Sequence, residues 1–188
     1  PDGELARMLF HELSHQVLYV AGDTAFNESF ATAVERLGGE AWLLQRASPQ
    51  ARATYQEFNV RRQQFRALTR TTRDRLSQIY IKNSALALTD TEMVASKKKA
   101  MDEFRLAYEV LKANWGGYSG YDAWVAQANN AAFGAQAAYD DLAPGFEALF
   151  VREDRDWLRF FEAVKQLGSL DETRRTEQLR QLAIRPQG

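Results

Sequence analysis

Apolar residues recur along this chain at spacings of three and four rather than two, over stretches that few glycines or prolines interrupt, which predicts a mainly helical, all-α fold. The first helix is expected from Glu4 to about Val20, with Leu5, Met8, Leu9, Leu13, Val17 and Leu18 on one broad apolar stripe at its back and Gly22 as its stop. Asp23 or Thr24 caps a second helix to about Arg46, in which Phe30, Val34, Leu37 and Trp42 recur at helical spacing while Gly38 and Gly39 weaken the middle. Ser48 and Pro49 read as an N-cap and a first-turn proline opening a long third helix to about Asn83. Thr89 to Glu92 has the form of a capping box and starts a fourth helix that reaches Trp115, so the third and fourth should pair as an antiparallel hairpin. Gly116-Gly117-Tyr118-Ser119-Gly120 is the strongest loop signal; shorter helices follow, broken near Pro144 and Gly168 and ending at about Ala183.

Composition narrows the class. With 188 residues, 45% of them hydrophobic and 26% charged, the chain can bury a real core, which removes disordered, collagen-like and coiled-coil readings. We expect a single helical domain of three segments: 1–47, 48–115 and 116–188. The 24 Lys and Arg against 25 Asp and Glu leave a net charge of −1, so no global field recruits nucleic acid. Cysteine is absent, which excludes disulfides, a thiolate nucleophile and Cys-based metal sites; any metal must bind His or carboxylate. No apolar run approaches the ~20 residues of a spanning helix. The chain begins at Pro1 rather than Met, and the expectation is the C-terminal catalytic part of a longer protein.

Residues 11 to 15 read His-Glu-Leu-Ser-His, inside the first predicted helix. Four residues advance a helix by about 400°, leaving His11 and His15 on one face and about 6 Å apart along the axis, so both imidazoles can converge on one ion. Glu12 sits one step round, where a carboxylate reaches a water on the metal without filling a coordination position, as a general base requires. At average composition such a pattern arises by accident about once in a few hundred chains of this length. A catalytic zinc site needs a third protein ligand, and both histidines are already used. A carboxylate must supply it: Glu28, early in the second helix, is the first candidate, with Glu35 and Glu40 as alternatives. Glu35, two turns beyond Glu28 on the same face, is also a candidate partner for the free N–H of a ligand histidine.

These residues carry a resemblance. His11-Glu12-Leu13-Ser14-His15-Gln16, then Gly22-Asp23-Thr24-Ala25-Phe26-Asn27-Glu28-Ser29-Phe30-Ala31, then Val34-Glu35, resemble the glutamate-zincin metallopeptidases and, more narrowly, a bacterial family of predicted aminopeptidases. Asn129-Asn130-Ala131 and Tyr139 to Phe146 continue the likeness, which spans most of the chain. The resemblance implies zinc at His11, His15 and Glu28, with Glu12 as catalytic base, a peptide substrate, and a periplasmic or cell-envelope location with any membrane anchor lying upstream; Glu35 and Asn27 are taken as supporting the ligands. The spacer between His15 and Glu28 is shorter than in thermolysin-like enzymes, so their downstream residue roles do not transfer by position.

With no third histidine, an oxyanion would need a tyrosine or arginine. Tyr118, Tyr121 and Tyr139 are candidates, each with ordinary packing as the competing role; Tyr139 is taken as the catalytic candidate and Tyr118 and Tyr121 as substrate contacts. Asn129 and Asn130 are candidates for holding a substrate backbone, with helix capping as the alternative. Trp115, Tyr118, Tyr121 and Trp124 either line a pocket or pack a helix junction. Lys97-Lys98-Lys99 reads as a solvated face, since Asp90, Glu92, Asp102 and Glu103 surround it. Three classes of function follow: a zinc metallopeptidase, a helical binding or scaffold module with a structural or silent metal site, and a metal-independent interaction domain built on the hairpin.

Overall fold

The computed structural model describes residues 2–86 and 89–184, with the backbone alone for 82–86 and 137–140. Among the described residues there are nine helices and no strand: α1 (Asp2–Val17), α2 (Thr24–Arg46), α3 (Pro49–Leu86), α4 (Asp90–Asn114), α5 (Asp122–Gln127), α6 (Asn130–Asp140), α7 (Ala143–Arg152), α8 (Trp157–Gly168) and α9 (Glu172–Ile184). The fold is all-α, as the periodicity predicts. No described helix is long and apolar enough to cross a membrane. The chain divides into two compact units, residues 1–55 with 136–188, and residues 56–135.

In the first unit, Phe26, Phe30 and Val34 of α2 meet Phe146, Leu149 and Phe150 of α7, Phe160, Val164 and Leu167 of α8, and Leu179 of α9 in one core. The rings interlock edge to face, with Phe26 and Phe146 at 5.1 Å and Phe150 and Phe160 at 5.4 Å between centroids. The expected break near Pro144 falls between α6 and α7, and Pro144 itself occupies the first turn of α7, where its missing N–H costs nothing. At Gly145 the backbones of α7 and α9 nearly touch, since a Cβ there would fall 2.3 Å from the carbonyl oxygen of Leu179. Asp23 ties the ends of this unit together. Its Oδ1 accepts the Phe26 N–H at 3.0 Å as the α2 N-cap, and its Oδ2 accepts Arg175 Nε at 2.7 Å, both side chains being buried.

α1 departs from the expected orientation. It ends at Val17 rather than Val20, and its apolar stripe does not face the core: Leu5, Met8, Leu9 and Leu13 are each more than half exposed. The buried residues are Gly3, Arg7 and Ser14, with Phe10, Val17 and Leu18 packed more shallowly. The reason lies in α2. A Cβ at Gly38 would meet the Phe10 ring at 3.0 Å and one at Gly39 would meet Arg7 Cγ at 2.6 Å, so the glycine pair forms a notch that seats the other side of α1.

The second unit is a helical hairpin closed by α5 and α6. Phe65 lies near Tyr108, Arg75 pairs with Glu103, and Lys97 stands over the Tyr80 ring at 4.2 Å, so α3 and α4 run antiparallel. The capping box at Thr89 and Glu92 is formed in both directions. Phe65, Leu76, Ala100, Phe104, Tyr108, Val125 and Phe133 make its core.

Candidate metal centre

The centre is built by α1 and α2, whose reversal is short and tightly held. Gly22 takes a positive φ of 83°, a conformation open to glycine. Asn27, 2% exposed, then closes the loop: its Oδ1 accepts the Val20 N–H and its Nδ2 donates to the Val20 carbonyl, both at 2.8 Å. The Asn27 amide is thus engaged with the loop backbone. The adjacent Glu28 faces back over α1 from the first turns of α2.

His11 and His15, one turn apart, place their rings 5.3 Å apart at 82°. Glu28 lies between them, with Oε2 3.3 Å from His11 Nε2 and Oε1 3.9 Å from His15 Nε2. The three donor atoms lie within 4.8 Å of one another and form a group that could hold a metal ion. Donors at 2.0–2.1 Å from a tetrahedral ion sit about 3.3–3.4 Å apart, so these separations approach the required set and side-chain rotation can close the remainder. Two imidazoles and a carboxylate also match zinc in ligand chemistry. His15 Nδ1 is buried without a hydrogen-bond partner among the described residues. Glu12 is exposed beside the group, and Glu40 is exposed and outside it.

Glu35 occupies a different position in the arrangement. Its Oε2 stands 3.3 Å from His11 Nδ1, on the far side of that imidazole from Glu28. Its Oε1 is taken by Arg7, whose Nε donates at 2.8 Å and whose Nη2 donates to the same oxygen. The hydrogen bond to Glu35 holds the His11 imidazole above its ordinary value of 6.5, overcoming desolvation, and the charges of Glu35, Glu28 and Glu12 act in the same direction. The field that draws a proton onto this ring also draws a metal cation. Ser14 turns inward and donates to the His11 carbonyl at 2.6 Å, which removes its hydroxyl from the chemistry.

The other predicted site residues belong to the second unit or fall outside description. Tyr121 stacks on Phe65 at 4.1 Å and Tyr118 packs edge-on to Phe58, Trp115 and Tyr121. Arg61 stands over the Tyr118 ring at 4.9 Å. Asn129 Oδ1 accepts the Ala132 N–H at 3.0 Å, a capping contact at the start of α6, and Asn130 Nδ2 donates to the Tyr80 hydroxyl at 2.5 Å. Tyr139 lies in α6, and its side chain lies outside the described residues. Arg7 and Tyr55, whose hydroxyl accepts Arg7 Nη1 at 2.7 Å, were not anticipated from the pattern. An arginine at the edge of an apolar stripe reads as solvent-facing, and only the Gly38-Gly39 pair hinted at a close helix approach.

No curated protein and no solved structure gives a significant match to the chain. A family model described as "Putative aminopeptidase" matches residues 1–179. The chain belongs to that aminopeptidase family.

Proposed function

We propose that this chain carries the metal centre of a zinc-dependent peptide hydrolase, with aminopeptidase action as the family description suggests. The observation that supports this most directly is the convergence of His11, His15 and Glu28 with Glu12 exposed alongside. His11 Nε2, His15 Nε2 and a Glu28 oxygen would hold the ion. When bound, it would supply Lewis acidity toward a peptide carbonyl and toward water.

The chain's own residues supply the proton handling and the orientation. Glu12, one position along the helix from His11, is outside the donor group and its carboxylate is free to take a proton from attacking water and return it to the leaving amine. Glu35 fixes the His11 ring by accepting from Nδ1, which leaves the Nε2 lone pair, on the side of Glu28, to bind an ion. The resemblance of the motif to envelope-associated bacterial proteins extends the reading to peptides met in that compartment.

The reading is tested by metal content and cleavage measured together. Elemental analysis should find about one zinc per chain, and His15→Ala should lose it. Unblocked aminoacyl anilides and N-acetylated peptides would separate amino- from endopeptidase action. Full zinc retention by His15→Ala would remove the assignment.

A further inference from the structure

Arg7 is a permanent cation at 3% exposure that neither the motif nor the donor group uses. Burying an ion costs several kcal/mol unless its donors are taken up, and here a carboxylate and a phenol take them up. Nε and Nη2 both point at Glu35 Oε1, and Nη1 donates to Tyr55. The side chain is held from behind as well, because Gly39 leaves room for its Cγ that no other residue would.

We propose that Arg7 is a positioning residue of the metal centre: seated over Gly39, its guanidinium occupies one oxygen of Glu35 and so aims the other at His11 Nδ1. This rests on the metal-centre reading above. The argument runs through donor and acceptor capacity. An ionised carboxylate only accepts, so His11 Nδ1 must carry the hydrogen bonded to Glu35, and in that neutral tautomer Nε2 keeps the lone pair that an ion on the Glu28 side would take. Glu35 alone could rotate to offer either oxygen or turn away. With two guanidinium nitrogens on Oε1, the carboxylate is held in one orientation, which a lysine ammonium cannot reproduce.

The sign of the effect separates positioning from charge. A positive charge near a cation site weakens binding by repulsion, so a role in charge alone predicts that binding is unchanged when Arg7 becomes lysine. Orientation predicts a loss. Zinc and cobalt(II) titrations should therefore show Arg7→Lys binding about tenfold more weakly, against about 10–100-fold for Glu35→Gln, whose side chain touches the ligand directly. The Arg7→Lys, Glu35→Gln double variant should bind within about threefold of Glu35→Gln alone, because both changes remove one linkage. Gly39→Ala alters no charge, displaces Arg7 Cγ, and should weaken binding in the same direction; it carries the test should Arg7→Lys fail to fold. In the metal-free protein above neutral pH, nitrogen-15 spectra of His11 should show the Nδ1–H tautomer in the wild type and a mixture in Arg7→Lys. Wild-type affinity in Arg7→Lys or in Gly39→Ala, or losses that multiply in the double variant, would overturn the assignment. A wild-type chain that takes up neither metal would instead defeat the metal-centre reading, and this inference with it.

Discussion

α1 and α8 belong to the same unit and are both amphipathic, yet they obey different rules. α8 places Phe160, Val164 and Leu167 in the core, at 0%, 0% and 7% exposure, and leaves Arg159, Glu162 and Lys165 outside. α1 does nearly the reverse. It buries Gly3, Arg7 and Ser14 and leaves Leu5, Met8, Leu9 and Leu13 at 51–59% exposure. Fully burying a leucine or methionine side chain contributes about 1.5–3 kcal/mol, so this orientation forgoes a large part of the hydrophobic term available to α1. What α1 gains is the placement of donors: both histidines and Arg7 meet Glu28 and Glu35 of α2. Burial decides which way α8 faces, and polar pairing across the glycine notch decides it for α1.

The comparison can be sharpened by perturbing each helix in turn. The largest effect belongs to Glu12→Gln on α1, expected to retain zinc while kcat falls about 10²–10⁴-fold, the span of a lost general base. Steady-state turnover alongside elemental analysis checks this, and an unchanged kcat would remove Glu12 from the chemistry. Next, Phe160→Ala on α8 should cost about 3–5 kcal/mol in urea unfolding, because the ring is wholly buried among Phe30, Phe150 and Trp157. Smallest of all, Leu9→Gln on α1 should change stability by less than about 0.5 kcal/mol, since that side chain already faces outward. A cost of several kcal/mol there would mean that α1 faces the other way.

Local rules carried most of the fold into view. The capping box at Thr89, the cap at Asp23 and the proline after Ser48 are short-range hydrogen-bonding and steric devices, and α2, α3 and α4 begin where they predict. The HExxH spacing is also a local geometric statement, which is why the two imidazoles share a face of α1 in sequence and structure alike. The facing of α1 was not legible, because periodicity reports which residues share a stripe and leaves open what the stripe meets. Gly38 and Gly39 looked like weak points of a helix; their meaning depends on Arg7 and Phe10, about thirty residues earlier in the chain. Arg7 itself could not be read as buried without Glu35 and Tyr55 beside it.

The Asn27 clip on Val20 bears on how the centre would respond to chelators. Because that amide pairs with both backbone groups of Val20, whose carbonyl also accepts the Asp23 N–H at 3.2 Å, the turn leading into Glu28 is set by covalent neighbours and hydrogen bonds alone. Stripping the ion should therefore leave the far-ultraviolet circular dichroism of the chain unchanged. That behaviour is unlike a zinc finger, whose helix melts when its metal is withdrawn. Reloading would then require little ordering of the backbone, and occupancy could follow the supply of metal without refolding.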